Sequence, residues 1–254
     1  MKKLCRILLP AVLICLLIML ACSRSKPGNE PESTETQMEP ETVSEIETTA
    51  ARTSPNGVEL LPERTLVDPE GDLLVLVNRF YCVREDYVPE LERAVAGYEE
   101  YLQPEAARAY SSMYFDARSS GVELYPCSGY RSYEHQKKNY EEKIAEYAEQ
   151  GYTREECEAL AANSIMPPGS SEHTLGLAMD IGWVSADFEN GAAYEWLCAH
   201  AWEYGFILRY PSDKADITGV KYEPWHWRYV GVDNAFAISR SGLCLEEFLS
   251  SADG

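Results

Sequence analysis

The chain has 254 residues, eight cysteines and a formal charge of −20, from 42 acidic against 22 basic residues. So acidic a surface excludes nucleic acid and anionic lipid as partners. The length suits one domain with a full core, because the N-terminal quarter does not read as folded. That quarter opens with Lys2, Lys3 and Arg6, continues through an apolar run at 7–20, and closes on Leu20-Ala21-Cys22. Residues 1–22 therefore read as a secretory signal. The run falls short of the roughly 18–20 apolar residues that span a bilayer as a helix.

Cys22, directly after a small residue, resembles the lipidation site of bacterial lipoproteins, in which that cysteine is acylated and becomes the mature N-terminus. Two or three acyl chains anchor stably where one does not; the alternative is plain cleavage and release. Residues 23–56 are rich in Glu, Thr, Ser and Pro with almost no aliphatic or aromatic content, and cannot bury enough apolar surface to offset their ordering entropy. They are expected to form a disordered acidic tether, roughly 30 Å root-mean-square if coil-like, before a folded domain at 57–254.

Within the domain, the aliphatic stretch at 73–80 predicts a buried strand. Residues 104–119 have helical spacing at Ala106, Ala107, Tyr110 and Met113, with Gly121 as a stop. A strand is expected at 122–128 and a long polar helix from Ser132 to Gln150, ended by Gly151. Thr153, with Glu156 three residues on, predicts a capped helix to about Asn163. Strands follow at 177–183, 206–209 and 225–230, a helix at 192–204, and two small helices from Asp233 and Leu245. With no regular βαβ repeat and no glycine-rich phosphate loop, the order predicts an α+β fold with a mainly antiparallel sheet flanked by helices. Cys82, Cys127, Cys157, Cys198 and Cys244 are scattered singly. They read as buried free thiols, with one exported disulfide left open.

The chemistry concentrates in two short segments, Ser171-Glu172-His173 through Asp180 and Glu223-Pro224-Trp225-His226. Two imidazoles and a carboxylate leave the fourth tetrahedral position of Zn²⁺ to water, and a nearby free Glu can take that water's proton. A bend at Gly176 would bring His173 and Asp180 to one point. Asp180 sits in so apolar a strand that it needs a partner or a metal. Glu223 and His226, three apart, converge only if Pro224 bends the chain. Imidazole donors favour zinc over hard cations. His135 and His200, on polar helices, read as non-ligands.

Beyond these segments the chain resembles the VanY-type D-alanyl-D-alanine carboxypeptidases and the related L,D-carboxypeptidases of peptidoglycan. The resemblance rests on Ser128-Gly129-Tyr130-Arg131-Ser132 with Gln136, on 168–181, on 205–211, and on Thr218-Gly219 with 222–231. It implies a Hedgehog/D,D-peptidase-like zinc fold and one catalytic zinc held by His173, Asp180 and His226. Glu223 would be general base and acid, Arg131 would hold the scissile carbonyl and its oxyanion, and Gln136, Ser171 and Tyr210 would line the pocket. Thr174-Leu175 and Met179 depart from the usual family residues without removing a ligand.

The activity so implied is removal of the C-terminal D-alanine of peptidoglycan stem peptides. L,D-cleavage of tetrapeptides and a non-catalytic muropeptide-binding lipoprotein are the alternatives. The expected setting is a monomer, anchored through Cys22 on the outer face of the bacterial cytoplasmic membrane.

Overall fold

The structure is a computed structural model and describes residues 52–252. The expected signal and Cys22, with the expected tether up to residue 51, lie outside the described residues. The last residues of that stretch lie within them. Ser54 Oγ and Asn56 Nδ2 donate to the two carboxylate oxygens of Glu156, at 2.6 and 3.1 Å.

Two short pairs come first: β1 (Thr65–Leu66) runs parallel to β2 (Tyr81–Cys82), and β3 (Glu92–Arg93) antiparallel to β4 (Tyr101–Leu102). Between β1 and β2, the strand expected at 73–80 is absent, and the segment is irregular. Val75 and Val77 are buried as its aliphatic character demands, but its backbone is satisfied differently. Arg228 Nη2 donates to the carbonyls of Leu73 and Val75, both at 3.0 Å, and Asn78 Oδ1 accepts from the amides of Phe80 and Tyr81. A buried guanidinium here replaces a neighbouring strand as the donor that backbone carbonyls require.

Helix α1 (Pro104–Ser119) matches its expected span, with Pro at its start, where a missing N–H costs nothing. Ala106, Ala107, Tyr110, Met113, Tyr114 and Ala117 form its buried stripe. Helix α2 (Tyr133–Ala148) begins at its Ser132 cap, and α3 (Arg154–Ala161) has the full Thr153/Glu156 capping box. These two pack on each other through Tyr140, Ile144, Cys157 and Ala161.

The central sheet comprises β5 (Pro126–Ser128), β6 (Ala178–Ile181), β7 (Phe206–Leu208) and β8 (His226–Tyr229), in the order β5-β6-β8-β7, with every pair antiparallel. This is the expected α+β architecture, with strands shorter than the sequence suggested. Met179 and Ile181 of β6 and Trp227 and Tyr229 of β8 join α1 in the main core. By strand alternation the opposite face carries Asp180, His226 and Arg228, and the one-turn helix α4 (Glu172–Leu175) covers it. Thus both faces of the central strands are buried, one in the apolar core and the other around charged side chains.

The helix expected at 192–204 divides into α5 (Ala192–His200) and a 3₁₀ turn, Ala201–Tyr204, closed by Gly205 at φ 83°. A Cβ on Gly205 would lie 2.7 Å from the Tyr229 ring, so only glycine fits. After α6 (Ala215–Thr218), helices α7 (Val232–Ser241) and α8 (Leu245–Ala252) close the chain. Ile207, Val230, Ala235, Ile238 and Leu245 form the core beneath α7 and α8.

All five cysteines of the domain are free thiols, but only Cys82, Cys157 and Cys244 are buried. Cys127 and Cys198 are exposed, against expectation. Cys127 lies on edge strand β5, with one face open to solvent. No described helix is long and apolar enough to cross a membrane.

Candidate active site

Asp180 pairs in register with Ser128 of β5 on one side and His226 of β8 on the other. Three functional side chains therefore lie in one row across three strands. His173 enters from α4, whose single turn ends at Gly176 in the left-handed conformation, φ 69° and ψ 22°. That residue provides the bend expected between His173 and Asp180. Gln103 locks the turn, donating its backbone N–H to Gly176 O at 2.8 Å and its side-chain amide to Leu175 O at 2.8 Å. A Cβ on Gly176 would meet Gln103 N and Leu91 Cδ2, both at 3.3 Å. Gly176→Ala is expected to cost about 1–2 kcal/mol from the left-handed backbone alone, read as a lowered denaturation midpoint.

Donor atoms of His173, Asp180 and His226 all lie within 4.8 Å of one another, and the hydrogen bonds around them fix which atoms face inward. His173 Nδ1 is 2.8 Å from Gly129 O, so that nitrogen carries the proton and Nε2 presents a lone pair, 3.4 Å from Asp180 Oδ2. His226 Nε2 is 3.2 Å from Glu172 Oε2, which leaves Nδ1 turned to Asp180 Oδ1 at 3.0 Å. A lone pair facing a carboxylate oxygen at this range calls for positive charge between them. Although burial opposes charge on His226, Asp180 and Glu172 raise its pKa to about 10. Burial likewise opposes charge on Asp180, yet His173 and His226 hold its carboxyl well below the usual range. A cation shared by the three donors meets this demand. Two imidazoles, each oriented through its other nitrogen by an oxygen acceptor, and one carboxylate make a set that fits zinc.

The metal-site residues open onto a cleft of about 300 Å³, lined also by Arg131, Gln136, Ser171, Tyr210, Glu223 and Trp225. The turn at Pro224 does bring Glu223 round: its Oε2 is 3.9 Å from His226 Nδ1, with 26 % of the side chain exposed. Burial, aided by Asp180 and Glu172, lifts Glu223 to about 7 against the opposing pull of His226 and Arg131. Arg131 is pinned by its own fork: Nη1 donates to Gln136 Oε1 at 2.9 Å and Nη2 to Ser128 Oγ at 3.1 Å. Gln136 donates in turn to Met166 O at 2.6 Å. Both ends of its amide thus have protein partners, and it orients Arg131. The Tyr210 ring lies 5.0 Å from that of His226. His135 is exposed on α2, and His200 pairs with Glu203, so both stand apart from the cluster.

Sequence reasoning missed the support beneath the site. Glu172 is fully buried and binds Arg209 Nε at 2.6 Å through Oε1, with Arg228 Nη1 at 2.9 Å outside hydrogen-bond angles. Burial would raise the Glu172 carboxyl, but Arg209 and Arg228 hold it well below the usual range. One signal was available: Arg228 shares a strand face with His226, two residues away.

This geometry has known counterparts. The model of the family described as VanY, D-alanyl-D-alanine carboxypeptidase, matches residues 99–232. The chain belongs to the VanY family. A D-alanyl-D-alanine carboxypeptidase of Enterococcus faecalis is 42% identical over 178 residues, spanning 70% of this chain and 66% of that protein. The chain thus spans about two thirds of the length of that relative. Among solved structures, the VanY D,D-pentapeptidase of the VanB-type vancomycin resistance cassette, in complex with Zn(II), is 42% identical with a TM-score of 0.59. The match covers 69% of this chain and 98% of that one. The LD-carboxypeptidase LdcB is 34% identical with a TM-score of 0.64, over 76% and 92% of the two chains. The expected family, α+β zinc D,D-peptidase fold, carboxypeptidase class and zinc dependence are borne out.

Proposed function

We propose that this chain is a zinc carboxypeptidase that removes the C-terminal D-alanine of peptidoglycan stem peptides. The observation that carries this reading is the juxtaposition, in one cleft, of the His173–Asp180–His226 cluster with an unattached Glu223 and a pinned Arg131. His173 through Nε2, Asp180, and His226 through Nδ1 would hold the metal. When bound, zinc supplies Lewis acidity, acidifying a water and polarising a carbonyl.

The remaining chemistry belongs to the chain itself. Glu223 takes a proton from the attacking water and passes it to the leaving amine. Arg131, always charged and held by Gln136 and Ser128, offers its remaining donors to the scissile carbonyl as it gains negative charge. Ser171 and Tyr210 line the pocket for the terminal residue. Arg131→Lys keeps the charge but not the pinned fork, and is expected to lower kcat by about 10²-fold, measured by release of D-alanine.

Purified protein should hold about one zinc, lose activity to a chelator and recover it on adding zinc; full activity without metal would sink the mechanism. Mass spectrometry of pentapeptide and tetrapeptide muropeptides tests the substrate: loss of one alanine from the pentapeptide is expected. The likeness to LdcB supports a second reading, L,D-cleavage, which predicts loss from the tetrapeptide instead. A muropeptide-binding protein without activity would cut neither, and Glu223 would then have no task. The sequence also supports placing the enzyme outside the cytoplasmic membrane. The basic start, apolar run and Cys22 fit a lipid anchor, and the acidic stretch after it gives reach toward the wall. Metabolic labelling with a fatty acid, lost in Cys22→Ala, tests that placement.

A further inference from the structure

We propose that Glu246, on the C-terminal helix α8, is a remote positioning residue for the metal centre, acting through Arg209 and Glu172 on His226. It rests on the reading that His226 ligates the metal. Glu246 lies beyond the residues matched by the family model, 99–232. The links are short and buried. Glu246 grips one edge of the Arg209 guanidinium with both oxygens, 2.9 Å from Nη1 and 2.6 Å from Nη2. Arg209 Nε donates to Glu172 Oε1 at 2.6 Å, and Glu172 Oε2 faces His226 Nε2 at 3.2 Å. The Arg209 and Glu172 side chains have no exposed surface, and that of Glu246 only 13 %.

Charge gives the chain its direction. Glu172 alone faces two guanidinium groups, Arg209 and Arg228, besides the His226 ring. Without Glu246 the cluster would carry an excess positive charge beside a site that must hold a cation, and Arg209 would draw more fully on the carboxylate that His226 needs. With Glu246 the two arginines and two glutamates balance, and Glu172 Oε2 remains available to orient and strengthen His226 as a donor. The guanidinium is rigid and planar, so fixing its outer edge from α8 fixes its inner edge against Glu172. It also lies over the Tyr210 ring at 4.7 Å, which leaves it little room to swing.

The neighbouring pair Lys214–Glu247, at 2.9 Å, docks the same helix without touching this chain of contacts. It separates positioning from simple helix docking. In the purified, zinc-loaded protein, Glu246→Ala is expected to raise the zinc dissociation constant about tenfold, at the low end for residues that support metal ligands. The visible spectrum of the Co²⁺-substituted protein should shift, and at saturating zinc kcat should fall while KM holds. Lys214→Ala should change none of these. Should the alanine variant fail to fold, Glu246→Gln, which keeps the bulk and one acceptor, should move the same readouts in the same direction by less. Unchanged zinc affinity and cobalt spectrum in the Glu246 variant would overturn the proposal, as would equal changes in Lys214→Ala. A parent protein that binds no zinc would instead overturn the proposed function.

Discussion

Glu223→Ala is expected to lower kcat by about 10²–10⁴-fold while the protein keeps its zinc. Glu223 stands outside the three-donor cluster, 3.9 Å from His226 Nδ1 at the mouth of the cleft, so its loss removes a proton acceptor and no ligand. Its charge state also sets the pH dependence. Burial lifts its carboxyl to about 7 in the metal-free chain, and a bound cation draws it lower by favouring the carboxylate. The acid limb of kcat/KM should therefore fall below pH 7, activity declining as the base is protonated, and the variant should lack that limb. Wild-type turnover in Glu223→Ala would assign the base elsewhere.

The same carboxyl makes a prediction about stability. Its folded pKa is raised above the ordinary value of 4.5, so the folded state binds the proton more tightly than the unfolded one, and stability declines as pH rises from about 4.5 to 7. Glu223→Gln removes this penalty. In chelator the variant should be more stable than its parent by about 2 kcal/mol above pH 7, after allowance for the exposed quarter of the side chain, and show no gain at pH 4. Denaturant midpoints at the two pH values measure it. A gain in stability with a loss of turnover is the signature of a group kept for chemistry.

Local signals carried much of this fold. The Thr153/Glu156 capping box, the Ser132 cap and the Pro104 start mark helices through contacts only a few residues long, and each appears where expected. The His173–Asp180 bend was legible for the same reason: Gly176 lies between them. What local pattern could not show were partners distant in sequence. The segment at 73–80 has the composition of a buried strand, yet its carbonyls bond to Arg228, more than 150 positions away. The Glu172–Arg209–Glu246 contacts each span 37 positions. Glu172 reads in sequence as a neighbour of a ligand. Only the fold reveals the two arginines behind it.

Glu172→Ala should be among the most damaging single changes in this chain, although Glu172 neither ligates the metal nor moves a proton in the proposed reaction. Removing it leaves Arg209 and Arg228, both with no exposed side-chain surface, facing each other and His226 without their common anion. Breaking a buried ion pair by deleting one partner costs about 3–5 kcal/mol, because the remaining charge stays desolvated. Glu246 still pairs Arg209 but makes no ion pair with Arg228, so the second arginine bears the cost. The pH dependence identifies the cause. Burial opposes the charge on Glu172, but its arginines hold the folded carboxyl below its unfolded value. The stability it contributes is therefore present above the unfolded pKa and is lost as pH falls through the folded one. The deficit of Glu172→Ala against its parent, measured by denaturant unfolding in chelator, should be full at pH 7 and shrink steadily below about pH 4.5. A deficit unchanged down to pH 2 would mean that lost packing, rather than the buried charges, accounts for it.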